Sequence, residues 1–169
     1  LAGQAATGYD LARRFDASIG YFWQASHQQI YRVLARMEAD VWVSATNETR
    51  DGRPDKKTYS LAEAGAAELA RWSAEPSHRE ALRSDFAVKL RGLVNPESMA
   101  ADARRRRAAH AERLAGYVAS EKRHYPDPEA LEGPALGGYL ALRGGILTEE
   151  QGISWCDEIL TALEARGIR

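Results

Sequence analysis

Residues 26–61, SHQQIYRVLARMEADVWVSATNETRDGRPDKKTYSL, carry the strongest structural pattern in this chain. Their first part predicts an α-helix beginning at His27, because Ser26 can cap it and Gln29, three residues later, can reach back to the capping residue. Helical periodicity places four apolar side chains on one stripe: Ile30, Val33, Leu34 and Met37. The opposite side is hydrogen-bonding and cationic, with Gln29 and Tyr31 at its edges and the following residues at its centre: Gln28, Arg32, Ala35 and Arg36.

A β-hairpin is predicted directly after this helix. Its first strand is rich in β-branched and aromatic residues, namely Val41, Trp42, Val43 and Thr46. Residues 50–55, RDGRPD, form a charged turn, and residues 56–61 form the return strand. The tip is basic through Arg50, Arg53, Lys56 and Lys57, although Glu48, Asp51 and Asp55 dilute its charge. A polar-faced helix followed by a two-stranded wing is the outline of a winged helix.

Further motifs flank this segment: GYDLARRF at residues 8–15, FW at 22–23 and AEAGAAELARW at 62–72. Together with SHQQIYRVLARME and DGRPDKKTYSL, their order over residues 5–74 resembles the PadR family of bacterial winged helix-turn-helix transcription regulators. Fourteen positions match that family's pattern: Gly8, Tyr9, Phe22, Trp23, Ser26, Tyr31, Leu34, Arg36, Glu38, Lys57, Tyr59, Leu61, Gly65 and Trp72. The chain departs from the pattern where the family usually has glycine, proline, glycine and a capping threonine, at Gln28, Val33, Asp40 and Ala62.

The resemblance implies that the chain binds double-stranded DNA as a homodimer, and repression is commoner than activation in the family. We expect the DNA contacts on the outward face of the helix and on the wing: His27, Gln28, Tyr31, Arg32, Arg36, Arg53, Lys56 and Lys57. Residues 1–77 hold nine Lys and Arg against ten Asp and Glu, so affinity must come from where the charges lie. A winged helix that contacts only other proteins is the alternative from another functional class.

Two domains are predicted, a winged helix over residues 1–74 and a helical dimerisation domain over residues 78–169, and the fold is mainly α. Residues 74–77 are polar and contain a proline, which is typical of a hinge. Thr7 and Asp10 predict the start of the helix that precedes the recognition helix, which is the one predicted from His27. Its inward side chains are expected to be Tyr9, Leu11 or Ala12, Phe15 and Ile19. In the family an apolar first helix precedes this one. Only residues 1–3 precede Gln4, so we expect that helix to be missing from this sequence.

Four helices are predicted in the second domain, over about 79–93, from Asn95-Pro96 to about Tyr125, from Asp127-Pro128 to Gly144-Gly145, and from Glu149 onward. Thr148 and Gln151 make a capping box for the last one. The family resemblance and the sparse apolar stripes both favour burial against a second subunit, through Leu114, Val118, Ile153, Leu160 and Leu163. The arginine run at residues 104–107 has two interpretations, a solvated stretch or a set of phosphate contacts.

Composition places the chain among folded soluble proteins. Of its 169 residues, 44% are hydrophobic and 28% charged, and no apolar run approaches the eighteen or so needed to cross a membrane. We therefore expect a cytoplasmic protein. Neither catalytic spacing, nor a phosphate-binding glycine loop, nor zinc-ligand spacing is present, so no enzyme activity, cofactor or metal is predicted. Cys156 is either a redox sensor or a buried, inert thiol.

A small aromatic effector is a further expectation, since some relatives bind phenolic acids or drugs. Five aromatic residues could line its pocket: Trp23, Trp72, Tyr117, Tyr139 and Trp155. Packing in a core or dimer interface is the alternative role for each of them.

Overall fold

The computed structural model describes residues 1, 3–18, 25–48, 56–77 and 83–168. The chain divides into two compact units, Leu1–Glu80 and Ala81–Arg169. The first unit contains, in order, β1 (Ala6–Thr7), α1 (Gly8–Ser18), α2 (His27–Ala39), β2 (Val43–Glu48), β3 (Lys56–Leu61) and α3 (Glu63–Ser73). The second contains α4 (Asp85–Gly92), α5 (Pro96–His124), a 3₁₀ turn (Pro128–Ala130) and α6 (Gly133–Glu164). The predicted mainly helical architecture with a wing is confirmed.

The sheet of the first unit has three strands rather than the two that were predicted. Its order is β1-β3-β2, and both pairings are antiparallel. Val43 pairs with Leu61 at one end of the hairpin, and Glu48 pairs with Lys56 at the wing end. The two-residue strand β1 adds Ala6 opposite Tyr59. The sheet therefore connects the entry of α1 to the wing.

The starts of the first two helices agree with their predicted caps. The Thr7 hydroxyl accepts the Asp10 amide at 3.1 Å, and the Ser26 hydroxyl accepts the Gln29 amide at 3.3 Å. Gln29 Oε1 in turn accepts the Ser26 amide at 2.7 Å, which completes the capping box. By contrast, α3 begins after Ala62, which provides no side-chain hydrogen bond.

The first wing strand begins two residues later than predicted. Val41 has a φ of 58° and is 66% exposed, so it lies in the turn that follows α2 instead of in β2. The amide of Val41 donates to the Glu38 carbonyl and the amide of Trp42 to the Met37 carbonyl, at 3.1 and 2.8 Å. These bonds close the last turn of the helix, and the sheet starts only at Val43.

The core of the first unit lies between α2 and the sheet. Leu34, Val43 and Tyr59 are buried at its centre, and partly buried apolar residues surround them: Leu1, Leu11, Ile30, Met37 and Ala45. Two predicted core residues lie elsewhere, because Val33 is 55% exposed and Tyr9 is 58% exposed. Ala12, fully buried, takes the inward position on α1.

In the second unit, the predicted helix start at Asn95-Pro96 holds and two others are shifted. The helix predicted from Asp127-Pro128 begins only at Gly133, as α6, because Pro128–Ala130 form a 3₁₀ turn. Asn95 caps α5 by accepting the Ser98 amide at 3.0 Å, with Pro96 in the first turn as predicted. The helix predicted from residue 79 begins at Asp85, because Ser84 is extended and its hydroxyl accepts the Ala87 amide at 3.2 Å. Residues 79–82 lie outside the described part of the chain.

The last two predicted helices form one continuous helix, α6, so the predicted stop at Gly144-Gly145 is wrong. The Thr148 hydroxyl donates back to the Gly144 carbonyl at 2.9 Å instead of capping a new helix. Two other glycines of α6 make room for α5 and the segment after it. A Cβ atom on Gly138 would lie 2.6 Å from the Tyr125 hydroxyl, and one on Gly152 would lie 2.6 Å from the His110 ring. Packing thus accounts for Gly138 and Gly152, whereas a Cβ atom on Gly144 would meet no neighbouring group within 4 Å.

Apolar contacts between α4, α5 and α6 form two clusters. One contains Phe86, Met99, Ala100, Ala103, Ile159 and Leu163, and the other contains Tyr117, Leu142 and Ile146. Leu114 and Leu160 pack against these clusters, so three of the residues predicted at a subunit interface, the two just named and Leu163, serve the interior of this unit.

The arginine run on α5 is engaged within the same unit. Arg107 pairs with Asp157 at 2.5 Å, Arg104 with Glu164 at 3.5 Å, and Arg105 with Asp102 at 2.6 Å. The guanidinium of Arg106 lies 4.3 Å from the centre of the Phe86 ring. These side chains remain largely solvent-exposed, and each is directed toward a group on its own unit.

Glu149 is a buried carboxylate between α5 and α6. It was predicted to open the last helix, but it lies inside α6 with its side chain 9% exposed. Arg113 donates to both of its oxygens, at 2.9 and 3.0 Å, and His110 Nδ1 lies 2.5 Å from Oε2. Burial acts to raise the pKa of Glu149, but the hydrogen bonds from Arg113 and His110 outweigh it and hold the pKa below its ordinary value.

Because this pKa is lowered in the folded state, the ionised Glu149 stabilises the second unit above the unfolded pKa, and the stabilisation is lost as the pH falls through the folded pKa. We expect Glu149→Gln to destabilise the second unit at pH 7 by about 2 kcal/mol, the value of a charged hydrogen-bond partner. The difference from the wild type should shrink below about pH 4. Urea unfolding at fixed protein concentration measures both, and the exposed neighbour Glu150→Gln is the control. A difference that does not change with pH would contradict the role of the carboxylate.

Candidate nucleic-acid interface

The outward face of α2 presents hydrogen-bonding and cationic side chains to solvent. His27, Gln28 and Arg32 are exposed, as is Arg36, whose side chain is 82% exposed and lies 3.6 Å from the Asp40 carboxylate. The face follows from the helical spacing, since Leu34 and its neighbours turn the opposite side into the core. An exposed helix of this kind, about 10 Å wide, is what the major groove of DNA accommodates.

Tyr31 lies on one flank of this face and contacts α1. A Cβ atom on Gly8 would overlap the Tyr31 ring, so the glycine allows the ring to lie directly over the first turn of α1. The ring is nevertheless 45% exposed. Tyr31 therefore joins α2 to α1 and keeps an open edge beside Gln28 and Arg32.

The two wing lysines point to opposite faces of β3, because side chains alternate along a strand. The pKa of Asp10, on α1, is lowered by hydrogen bonds with Thr7, by the charge of Arg14 and, least of all, by the charge of Lys56. Lys57 turns toward α2: its Nζ donates to Glu38 Oε2 at 2.7 Å and lies 5.4 Å from the centre of the Tyr59 ring. The hydrogen bond to Glu38 is the main cause that raises the pKa of Lys57. Arg53 lies outside the described residues.

The predicted effector-pocket residues occur in separate places. Trp72, on α3, is 64% exposed and lines an apolar groove of about 590 Å³ in the first unit. In the second unit Tyr117 is buried, the tilted rings of Tyr139 and Tyr125 have their centres 5.7 Å apart, and Trp155 and Phe86 make a T-shaped contact at 5.3 Å. Trp23 lies outside the described residues. The groove also contains Trp42, which the sequence pattern assigned only to a strand.

The thiol of Cys156 was the candidate for reactivity that the sequence offered. Cys156 is buried, and burial raises the pKa of its thiol, so the interpretation as an inert interior residue fits better than that as a reactive one. Across the residues with described positions, no three His, Cys, Asp or Glu side chains are arranged to hold a metal ion. Likewise, none of the helices described is both long and apolar enough to cross a membrane.

Two family models match the chain, one to each unit. "Transcriptional regulator PadR-like family" matches residues 1–71, and "Virulence activator alpha C-term" matches residues 82–164. The chain is 48% identical to the probable transcriptional regulator Rv1176c of Mycobacterium tuberculosis, over 98% of this chain and 94% of that protein. It is 27% identical to the negative transcriptional regulator PadR of Bacillus subtilis, over 94% and 90%.

Solved structures show the same fold. The virulence activator AphA of Vibrio cholerae superposes with a TM-score of 0.80 at 32% identity, covering 98% of this chain and 94% of that one. Bacillus subtilis PadR in complex with operator DNA superposes with a TM-score of 0.82 at 22% identity, covering 95% and 93%. Both units are thus found together in the same order in these structures.

Proposed function

Because the chain belongs to the PadR-like family of transcriptional regulators, we propose that it is a homodimeric repressor that reads a pseudo-palindromic operator with α2 and the wing and responds to a small effector. The family and its relatives are transcription regulators rather than enzymes. The observation that carries the proposal is the exposed, hydrogen-bonding and cationic face of α2, opposite a well-packed core. A regulator of bacterial genes works in the cytoplasm, where the DNA is.

Direct readout of bases is assigned to the first half of α2. An amide such as that of Gln28 can bond to the edge of adenine, and a guanidinium such as that of Arg32 can bond to guanine or to phosphate. Arg36, Tyr31 and His27 border these two, and Lys56 and Arg53 on the wing are proposed to contact phosphate or the minor groove. Residues from both elements would then lie along one surface of the duplex.

Replacing Gln28 or Arg32 tests this assignment. We expect Gln28→Ala to relax base preference at one operator position by about tenfold, the value of one good base contact, and Arg32→Ala to weaken binding severalfold. Fluorescence anisotropy with DNA from the region upstream of the gene that encodes this protein measures both the base preference and the affinity. Arg91→Ala is the matched control, because it removes an exposed arginine from α4 in the second unit. Unchanged operator affinity in both α2 variants would exclude this helix as the reading element.

Salt dependence separates the proposal from a winged helix that contacts only proteins. Each phosphate contact releases counterions, so the logarithm of the DNA affinity falls with the logarithm of the salt concentration, with a slope of about −0.9 per contact. A DNA-binding regulator with several contacts must therefore lose affinity steeply between low and moderate salt. A protein adaptor would show no specific shift of the upstream fragment at any salt concentration.

The homodimer is proposed to form through a second apolar side of α6. Leu136, Leu140 and Leu147 are 36%, 58% and 56% exposed, and their spacing of four and seven residues puts them on one side of the helix. The buried side, with Leu142, Ile146 and Ile159, faces the interior of the unit. A helix that is apolar on two sides favours a partner on each. A two-fold pair of subunits would space two α2 helices about 34 Å apart on DNA.

Repression and effector binding are supported by relatives. Bacillus subtilis PadR is named a negative regulator and has been solved with p-coumaric acid. In this chain the groove lined by Trp42 and Trp72 is an aromatic surface large enough for a flat acid of that size. Titration with p-coumaric acid should quench tryptophan fluorescence and release the operator. Unchanged emission and binding at millimolar acid would contradict a phenolic effector.

A further inference from the structure

Glu38 and Lys57 join the recognition helix to the wing. The Lys57 ammonium donates to the Glu38 carboxylate at 2.7 Å, and the side chains of Lys57 and Glu38 are 41% and 37% exposed. The ammonium also lies 5.4 Å from the centre of the Tyr59 ring, which is buried beside Leu34 and Val43. The lysine thus extends from the edge of the hydrophobic core to the last turn of α2.

The pair lies on the same flank of α2 as Tyr31. Seven residues separate Tyr31 from Glu38, which is about two helical turns, so both side chains leave the helix in the same direction. Tyr31 contacts α1 at Gly8, and Glu38 contacts β3 at Lys57. Lys57 is the second residue of β3, near the wing end of the hairpin, whereas the apolar contacts of β3 with α2 are centred on Tyr59. The ion pair therefore joins α2 to the hairpin at a point nearer the wing end than the apolar contacts around Tyr59.

A half-exposed ion pair contributes little to folding stability. We therefore consider its effect on how the wing meets DNA. A phosphate that binds Lys57 must first compete with a carboxylate already at hydrogen-bond distance. The cation is also directed toward α2, whereas Lys56, on the opposite face of the strand, has no such constraint from Glu38.

We propose that Glu38 and Lys57 are a positioning pair that holds the wing at a fixed angle to the recognition helix, and that Lys57 is not the phosphate contact that its place on the wing suggests. The proposal rests on the proposed DNA-binding function. The pair acts on DNA affinity only through geometry, because it orients Lys56 and the strands β2 and β3 relative to Gln28 and Arg32. Removing either partner should then have the same consequence.

The test uses Glu38→Gln, Lys57→Gln, the double variant and the charge swap Glu38→Lys with Lys57→Glu, all in the full chain. Operator affinity is measured by anisotropy across a salt series. We expect each single variant to bind about three- to tenfold more weakly, the double variant to bind no more weakly than either, and the swap to recover part of the loss. Lys57→Gln should keep the wild-type salt slope. Lys56→Gln is the matched control, and its slope should flatten by about 0.9, as for one lost phosphate contact.

The opposite pattern would overturn the inference. If Lys57 contacts phosphate, Glu38→Gln frees the cation and maintains or raises affinity, while Lys57→Gln flattens the salt slope. Melting temperatures of the variants should lie within a few degrees of the wild type, and a large drop would show that the pair maintains the fold instead. If the wild type fails to bind its operator, the proposed function itself is wrong and the pair has no such role. If the wild type binds its operator but the double variant binds more weakly than either single variant, the positioning role of the pair is wrong. The proposed DNA-binding function is then unaffected.

Discussion

Replacing Gly65 with alanine should lower the free energy of unfolding of the first unit by about 3 kcal/mol or more, a large fraction of the stability of a small domain. Gly65 is buried in the first turn of α3, where a Cβ atom would overlap the Trp42 carbonyl oxygen and lie 2.8 Å from its carbon. The obstacle is backbone, which cannot rotate away as a side chain can. The same carbonyl accepts the Ala62 amide at 3.0 Å, so displacing it also weakens the hydrogen bond at the start of α3.

Alanine also favours helix over glycine by about 1 kcal/mol, and this gain works against the clash without matching it. Circular dichroism with urea measures the change, and DNA binding should be lost at temperatures where the wild type is folded. Gly116→Ala is the control, because it makes the same chemical change on α5 with no atom within 4 Å of the new Cβ. It should be neutral or slightly stabilising. Equal stability of Gly65→Ala and the wild type would show that α3 and Trp42 are farther apart than the structure places them.

Replacing both Leu140 and Leu147 with glutamate should convert the proposed dimer to a monomer and weaken operator binding by about a hundredfold or more. Two carboxylates on the exposed apolar side of α6 would have to lose water on association, without a partner to compensate their charge. Once the subunits separate, each half-site binds alone, and the gain from linking them, about 10²- to 10⁴-fold, is lost. Light scattering at micromolar concentration gives the oligomeric state, and anisotropy gives the affinity.

Val88→Glu is the matched control for this pair. Val88 is 74% exposed on α4, so the substitution adds the same charge to an exposed aliphatic position of the same unit. It should leave the dimer intact. A dimer that survives the double substitution on α6 but dissociates with Val88→Glu would place the interface on α4.

Local signals predicted helix starts well where residues close in the sequence satisfy each other's hydrogen bonds. Ser26 and Gln29 form the predicted capping box, and Asn95 with Pro96 starts α5. Such caps depend on groups three residues apart, so the sequence alone is enough to identify them. The same kind of signal was wrong for α6, where Gly144-Gly145 and Thr148 resemble a stop and a start. Packing of α6 along α5, with Gly152 admitting His110 and Gly145 buried, keeps the helix continuous against those signals.

From the sequence one could infer the winged helix, the family and the outward face of α2, because these follow from the spacing of apolar and polar residues along single elements. The roles of Gly65, Glu149 and Lys57 could not be inferred in this way. Gly65 matched the family pattern, but its reason is the carbonyl of Trp42, 23 positions earlier in the chain. Glu149 is held by Arg113, and Lys57 by Glu38, across 36 and 19 residues. Contacts over such separations depend on how the elements pack. The spacing of residues within one element does not show which residue of another element it will contact.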